Sequence, residues 1–209
     1  MMATSSDASA NLVVNGGFEE PAFNGEWTIF DSVPGWHWDG DYPIEILRDL
    51  NNFKGWVPYE GRQYMEATSI EDLYQYVPTM PGYHYVLSYA YSPRPSTELS
   101  PVVDNPLDVY WNGQLVASHN TLSTGVTYNQ WTVYSYEVIA SSSSTLLQFK
   151  SQRLGVGTFL DDIRLEETAT QPVPEPSAVA GVLSLLIAAI AVRSLMWRRQ
   201  MVERGVPSC

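Results

Sequence analysis

Apolar and polar residues alternate along several short segments of this chain, which is the period of a half-buried β-strand. The clearest segment is 83–91, in which every second residue from the first is tyrosine or leucine. Two further segments, 107–111 and 114–117, are joined by Asn112-Gly113, and this dipeptide is the strongest short signal for a β-hairpin. The pattern therefore predicts short, antiparallel strands.

Further strands are predicted where β-branched and aromatic residues cluster between Gly, Pro, Asn and Ser. They are 44–46, 64–67, 131–139, 146–149 and 158–160. No amphipathic helix of about ten residues or more precedes residue 169. We therefore expect residues 11–168 to form an all-β, two-sheet jelly-roll sandwich, after a disordered segment at 1–10.

The chain changes character near its C-terminus. Residues 169–177 contain three prolines within five positions and predict an extended linker. Residues 178–197 follow as a largely apolar run, which as a helix of about 30 Å is long enough to cross a membrane. Arg198 and Arg199 open the basic tail 198–209 and predict that this tail faces the cytoplasm and the body does not. The alternative is an amphipathic or buried helix, but the first fifteen residues of the run carry no charge.

The order of these parts is specific. The triplet Pro174-Glu175-Pro176, the apolar run and the pair Arg198-Arg199 together resemble the PEP-CTERM sorting signal of exported bacterial proteins. The resemblance implies recognition by an exosortase, a membrane-embedded protease, with cleavage near the motif. The body would then lie at the cell envelope or be released outside the cell. The first ten residues lack the basic and apolar regions of a secretory signal, so we expect an upstream extension of the reading frame. The alternative is a tail-anchored protein with a cytoplasmic body.

Composition narrows the partners and the chemistry. The net charge is −12, and residues 1–192 hold 7 basic and 22 acidic residues. Such an acidic body repels phosphate backbones, so no nucleic-acid partner is expected. The single cysteine, Cys209, is the last residue, which excludes an intrachain disulfide. The chain has no serine-hydrolase, zinc-protease or phosphate-loop motif, and it is expected not to be an enzyme.

The two ends of the predicted sandwich carry a second resemblance. The opening segment 11–19 reads Asn-Leu-Val-Val-Asn-Gly-Gly-Phe-Glu, and the closing segment 159–165 reads Phe-Leu-Asp-Asp-Ile-Arg-Leu. Both are similar to the ends of galactose-binding-like jelly rolls, a group that includes carbohydrate-binding modules and DUF642-type cell-wall proteins. The resemblance implies a sandwich that binds carbohydrate without catalysis.

Three carboxylates belong to these ends: Glu19, Asp161 and Asp162. The resembling modules commonly hold a structural Ca²⁺ where the two ends meet, which implies the same here. Strict alternation places Asp161 on one strand face with Phe159, Ile163 and Leu165. A carboxylate on such an apolar face is costly unless it is paired or metal-bound. Calcium takes six to eight oxygens, so backbone carbonyls near 15–17 would contribute. The alternative is that the carboxylates accept hydrogen bonds from backbone amides.

Aromatic side chains can bind a glycan because the C–H face of a sugar stacks on a ring, while polar side chains bond the hydroxyls. The candidate ligand-binding residues are Trp36, Trp38, Trp56, Tyr59, Tyr91, Arg94 and Trp111. Trp36 and Trp38 are the strongest pair, because Gly35 and Gly40 bracket them like an exposed loop and both rings point to one side of a strand. Core packing is the alternative for each aromatic residue, and a salt bridge is the alternative for Arg94.

The sequence therefore predicts an exported, non-catalytic β-sandwich that binds extracellular polysaccharide at the bacterial surface. Its predicted partners are an exosortase, the polysaccharide and, before processing, the membrane around residues 178–197. The alternative is a structural or adhesive matrix protein without a specific glycan.

Overall fold

A computed structural model describes residues 10–39, 43–49, 55–67, 72–95, 102–124, 127–151 and 157–168. The described strands are β1 (Trp27–Phe30), β2 (His37–Asp39), β3 (Ile44–Arg48), β4 (Gln63–Ala67), β5 (Asp72–Pro78), β6 (His84–Ser92), β7 (Val102–Val103), β8 (Pro106–Trp111), β9 (Gln114–Asn120), β10 (Ser123–Thr124), β11 (Thr132–Ile139), β12 (Ser144–Ser151) and β13 (Thr158–Glu167). They belong to one unit that spans residues 1–171.

Eleven of these strands form two antiparallel sheets. The six-stranded sheet has the order β1-β3-β4-β13-β6-β11, and the five-stranded sheet has the order β2-β5-β12-β8-β9. Strands β7 and β10 pair separately. The all-β, two-sheet fold predicted from the sequence is confirmed.

The core lies between the inner faces of the two sheets. On β6, Tyr85, Leu87, Tyr89 and Tyr91 are all buried, as the alternation in this segment predicts. Phe149 comes from the facing sheet and meets Tyr89 edge to face, with ring centroids 5.4 Å apart. Burial of side chains of this size stabilises the fold by about 1.5–3 kcal/mol each, so this strand anchors the sandwich.

The predicted Asn112-Gly113 hairpin is confirmed and joins β8 to β9. Both turn residues have positive φ, 50° for Asn112 and 78° for Gly113, as a type I′ turn requires. The turn brings Tyr110 opposite Leu115 on the outer face of the five-stranded sheet.

Strand β13 departs from strict alternation at a β-bulge. Its register with β6 shifts between Asp161 and Arg164. Phe159 and Asp161 therefore share the outer face, while Ile163 and Leu165 turn into the core. The prediction of strict alternation along this segment is wrong, because a bulge inserts an extra residue and reverses the face of those that follow.

Among the described residues, no helix has the length and apolar character needed to cross a membrane. The predicted linker 169–177, membrane helix 178–197 and basic tail 198–209 lie outside the described residues, as do residues 1–9. The sorting motif therefore rests on the sequence alone.

Candidate functional site

The outer face of the five-stranded sheet carries aromatic and polar side chains. On β5, every second residue from Leu73 to Val77 is buried, and Tyr74 and Tyr76 point the other way. Gln75 belongs to the buried set because its side chain binds the backbone of Val14. The Val14 N–H donates to Gln75 Oε1 at 2.8 Å, and Gln75 Nε2 donates to the Val14 carbonyl at 3.0 Å. With Gln75 held inward by these two hydrogen bonds, its neighbours Tyr74 and Tyr76 lie on the outer face.

The strand register aligns one side chain from each of the five strands on this face. In order across the sheet they are His37, Tyr74, Gln148, Tyr110 and Leu115. Residues directly opposite in antiparallel strands have Cβ atoms about 4.5–5.5 Å apart and share a face. Neighbouring strands are about 4.8 Å apart, so these five residues, here called the tyrosine row, extend over about 19 Å.

Ring contacts hold the aromatic part of this face in place. His37 is exposed and stacks on Tyr74, with ring centroids 5.4 Å apart and planes inclined by 29°. Tyr76, two residues further along β5, is 60% exposed and meets Tyr74 edge to face at 6.0 Å. Rings that are already oriented lose less conformational entropy when a ligand binds.

A second row of side chains runs beside the tyrosine row. By the same register it consists of Asp39, Asp72, Lys150, Asp108 and Ser118, here called the charged row. Lys150 forms an ion pair with Asp72, and its Nζ lies 5.3 Å from the ring centroid of Tyr110. The row thus holds three carboxylates and one ammonium group next to the aromatic rings.

A cavity of about 410 Å³ opens at the β2 end of the tyrosine row. Residues 31–38 and Tyr74 line it, so the cavity and the row share His37 and Tyr74. Gly35 forms part of its wall with φ of 82°, and a Cβ at this position would lie 2.8 Å from the Cβ of Val14. The turn that shapes the cavity therefore requires glycine.

The two tryptophans predicted to bind ligand here point into the protein. Trp36 is 2% exposed, its ring stacks on Phe18 at 5.4 Å, and its Nε1 donates to the Asn15 carbonyl at 3.0 Å. Trp38 is half-buried and packs against the core. Both rings do point to one side of the strand, but that side is the inner one. Both tryptophans contribute to the lining of the cavity, and His37, which lies between them in the sequence, faces the outer side of the sheet.

Three other aromatic candidates are also interior residues, namely Trp56, Tyr91 and Trp111. The Tyr91 hydroxyl donates to the Asn105 carbonyl at 2.7 Å, and Trp111 Nε1 donates to the Ile139 carbonyl at 2.9 Å. Their assignment as ligand contacts is corrected to core packing. A large ring with its polar atom bonded to the backbone contributes to stability rather than to a surface.

Tyr59 reaches solvent, but it belongs to the other side of the sandwich. It is 46% exposed, and its ring meets Trp131 edge to face at 6.3 Å. Trp131 packs against residues on the outer face of the six-stranded sheet, among them Phe159. The structure therefore does not bring Tyr59 to the tyrosine row.

Arg94 is engaged by a carboxylate over the same six-stranded sheet. It forms an ion pair with the buried Glu66, and its guanidinium lies 5.0 Å from the Trp56 ring centroid. Glu66 also accepts the N–H of Gly157 at 3.0 Å. Burial raises the pKa of Glu66, and burial together with repulsion from Glu66 raises the pKa of Glu45 to about 7. The salt-bridge alternative describes Arg94, and its role as a ligand contact is corrected.

Asp161, predicted to bind calcium, accepts hydrogen bonds from three backbone amides. Its Oδ2 accepts the N–H groups of Tyr59 at 2.8 Å and Glu60 at 3.0 Å, and its Oδ1 accepts that of Asp162 at 2.7 Å. Burial raises the pKa of Asp161 to about 7, although these three donors act to lower it. The carboxylate therefore anchors the segment that begins at Tyr59.

Glu19 holds the other side of the same segment. Its Oε1 accepts the N–H groups of Arg62 at 2.6 Å and Gln63 at 2.9 Å. Gly61 lies between the two pairs of donors with φ of 64°, and a Cβ there would collide with the Glu19 carboxylate. Two carboxylates from opposite ends of the sandwich thus clamp residues 59–63.

Protein donors already engage the three carboxylates at these chain ends. Asp162 bonds instead to Arg164, whose Nε donates to its Oδ1 at 2.6 Å. Within the part of the chain that the structure describes, no three His, Cys, Asp or Glu side chains are grouped so that they could hold a metal ion. Backbone N–H groups bond Glu19 Oε1 and both carboxylate oxygens of Asp161, so Ca²⁺ would compete with these donors. Amide capping accounts for Glu19 and Asp161, and calcium binding stays a prediction.

Sequence reasoning missed the tyrosine row. Segment 72–78 does alternate, but the buried Gln75 interrupts the apolar half of the pattern and conceals the strand. Tyr110 lay in a predicted strand, next to the more conspicuous Trp111, and the alternation already placed the two on opposite faces. The signal that would have found the row is the pair Tyr74 and Tyr76, two residues apart.

No protein-family model and no curated protein matches this chain. Among solved structures, it is similar to TmCBM61 in complex with β-1,4-galactotriose, at 19% identity over 77% of this chain and 100% of that chain, with a TM-score of 0.47. It is also similar to a family 35 carbohydrate-binding module from Clostridium thermocellum, at 14% identity over 68% and 98% with a TM-score of 0.43. For the CBM22-1 xylan-binding domain of Paenibacillus barcinonensis Xyn10C the identity is 15% over 78% and 98%, with a TM-score of 0.44. Because these TM-scores are below 0.5, the ligand of this chain has to be inferred from its own residues.

Proposed function

We propose that this protein binds a polysaccharide, without catalysis, along the tyrosine row of its five-stranded sheet. The observation that carries the proposal is the row itself. It places one side chain from each of five neighbouring strands on a single exposed face over about 19 Å. A polymer that follows the row can contact one side chain from each strand in turn.

The row supplies the two kinds of contact that a sugar chain needs. The rings of Tyr74 and Tyr110 in the row, and that of Tyr76 beside Tyr74, offer apolar surface for the C–H face of a pyranose, and their hydroxyls donate and accept hydrogen bonds. Gln148 lies between Tyr74 and Tyr110, and its side-chain amide both donates and accepts. Apolar stacking thus alternates with polar contacts along the row.

The cavity at the β2 end extends this surface. Asp31 and Ser32 are exposed residues in its lining and suit the hydroxyl groups of a sugar. His37 and Tyr74 connect the cavity to the row. A glycan that follows the row would place an end or a branch in the cavity.

Alanine variants of Tyr74 and Tyr76 test the proposal. Full-length protein is titrated calorimetrically with soluble β-1,4-galactan, xylan and mixed-linkage glucan. Loss of both rings in Tyr74→Ala/Tyr76→Ala should weaken binding at least about tenfold, since two stacking contacts together contribute about 1–3 kcal/mol. Tyr128→Ala is the matched control, because Tyr128 is 56% exposed and lies outside this sheet.

Two results would contradict the proposed function. The first is that the double variant binds as well as Tyr128→Ala, which would place the ligand elsewhere. The second is that none of the polymers binds saturably, which would favour a structural or adhesive matrix protein.

The tail supports a proposal on location. The Pro-Glu-Pro motif at 174–176, the apolar run 178–197 and the pair Arg198-Arg199 are the basis for export, with the body outside the cytoplasm and processing by an exosortase. Replacing 174–176 by three alanines should leave membrane insertion intact and block processing in a host with an active exosortase. Mass spectrometry of the mature C-terminus reads this out, and a wild-type protein that keeps Cys209 in that host would contradict it.

A further inference from the structure

The charged row lies beside the tyrosine row on the same face of the five-stranded sheet. Asp72 and Asp108 each lie two residues before a tyrosine of the row on the same strand, and Asp39 lies two residues after His37. Residues two apart in a strand share a face and are about 7 Å apart along it. A sugar chain stacked on the tyrosine row would therefore run beside three carboxylates.

Lys150 is the cation in this row, and its charge is already engaged. It forms an ion pair with Asp72, it lies directly opposite Asp108 in the register of β12 and β8, and its ammonium group approaches the ring of Tyr110. Asp39 is exposed and lies directly opposite Asp72, so two like charges face each other across β2 and β5. Among the described residues of this row the carboxylates outnumber the cation by three to one.

We propose that this face selects uncharged polysaccharides and rejects chains that carry uronate carboxylates. The inference rests on the proposed glycan-binding function and names its ligand class. The hydroxyl groups of a neutral sugar can donate to the carboxylate of Asp39, which only accepts. A uronate in the same position would bring a second negative charge to the row, and like charges at a binding surface weaken association.

Chemical oxidation of one polymer provides matched ligands. Galactan, mixed-linkage glucan and mannan are each compared before and after oxidation of their primary hydroxyl groups to carboxylates, which leaves the backbone and its linkages unchanged. For whichever neutral polymers bind the full-length protein, the oxidised form should bind at least about tenfold more weakly at low salt. The ratio should shrink between about 0.01 M and about 1 M salt, because the Debye length falls from about 30 Å to about 3 Å.

Variants of the charged row test whether its carboxylates cause the weaker binding of oxidised polymers. Asp39→Asn, alone and with Asp108→Asn, should reduce the ratio between neutral and oxidised polymer several-fold and change the affinity for the neutral polymer less. Glu137→Gln removes one negative charge from β11 on the other sheet and should leave the ratio unchanged. Lys150→Gln should increase the ratio, since it removes the positive charge that offsets part of the negative charge of the row.

The outcomes separate this inference from the proposed function. Equal or tighter binding of the oxidised polymers would overturn the charge selection and leave glycan binding in place. If Lys150→Gln then abolished that binding, Lys150 would be a uronate contact. A change in Glu137→Gln as large as that in Asp39→Asn would attribute the discrimination to net charge and also overturn the inference. Absence of binding to every polymer, neutral and oxidised, would overturn the proposed function and this inference with it.

Discussion

At the scale of single residues, the carboxylates over the six-stranded sheet govern the response of the fold to pH. Glu45 lies directly opposite Glu66 in the register of β3 and β4, and Arg94 forms its ion pair with Glu66. A partly buried carboxylate next to a second one favours its protonated form. Charge on Glu45 therefore works against the folded state.

We expect Glu45→Gln to stabilise the protein above neutral pH. Burial, followed by repulsion from Glu66, raises the pKa of Glu45 from 4.5 to about 7. Because the folded-state pKa exceeds the unfolded one, the stability contributed by the protonated side chain is present below 4.5 and is lost as the pH rises towards 7. Glutamine stays neutral, so at about pH 8 the variant should gain about 1–2 kcal/mol after allowance for solvent screening.

Urea unfolding at a series of pH values measures this effect. The wild-type free energy of unfolding should fall with rising pH more steeply than that of Glu45→Gln. Some slope should remain in the variant, because the pKa of Asp161 is raised in the same direction. Glu137→Gln, which changes an exposed carboxylate on β11, should follow the wild type. Identical profiles for Glu45→Gln and wild type would show that Glu45 does not titrate in this range.

At the scale of strands, local alternation predicted which residues share a face but not which face is buried. For 83–91 the buried face was easy to identify, because every residue on that face except Leu87 is tyrosine. For Trp36 and Trp38 the pattern correctly placed both rings on one side. The choice of side depends on contacts with Phe18 and Asn15, about twenty residues earlier in the chain. Such tertiary contacts are not visible in the local sequence.

Segments whose faces depend on one side-chain bond were the hardest to predict. Gln75 occupies a buried position in which its side chain bonds the backbone of Val14. Because this polar residue interrupts the apolar half of the alternation, the sequence did not predict β5 as a strand. The bulge in β13 begins at Asp161, whose carboxylate accepts the amides of Tyr59 and Glu60 from a segment about 100 residues earlier. The two-sheet fold was therefore predictable, whereas the tyrosine row and the carboxylate contacts required the structure.

We expect Asp161→Ala to destabilise the fold whether or not calcium is present. It removes the acceptor for three backbone N–H groups, and a buried donor without a partner costs about 1–3 kcal/mol. The melting temperature should drop by about 2–4 °C for each kcal/mol in a chain of this size. Differential scanning calorimetry in EDTA and in excess calcium measures the loss, with the exposed Glu26→Ala as a control. A calcium-dependent rise in the wild-type melting temperature that disappears in Asp161→Ala would instead support the predicted metal site.

At the scale of the whole sandwich, its two outer faces differ in how far they are covered. Over the six-stranded sheet, Trp56 is buried against Phe159. The Val57 carbonyl accepts Asn129 Nδ2 at 2.7 Å and Trp131 Nε1 at 2.9 Å, which fixes this segment to the sheet. On the five-stranded sheet, the rings of His37 and Tyr76 are exposed and those of Tyr74 and Tyr110 are half-buried. Among the described residues, the five-stranded sheet thus carries the aromatic face on which the proposed glycan binding rests.

Hydrogen bonds between the first and the last residues of the sandwich close the fold. The Leu12 N–H donates to the Leu165 carbonyl at 2.9 Å, and Asn11 Nδ2 donates to the Ile163 carbonyl at 3.1 Å. Leu165 and Ile163 are fully buried in the core. The final strand, β13, is therefore required for the fold because it joins the start of the chain to both neighbouring strands, β4 and β6.

We expect a chain that ends at Thr170 to fold and to bind neutral glycan as the full-length protein does. Every described strand lies before that residue, and the contacts that close the sandwich are made by Leu165 and residues before it. A chain that ends at Asp161 is the control, since it lacks Ile163 and Leu165 and leaves the inner face of the six-stranded sheet open. Circular dichroism, cooperative melting and titration with galactan compare the two. An unfolded chain ending at Thr170, or equally cooperative melting of the chain ending at Asp161, would contradict the assignment of β13 as the strand that closes the sandwich.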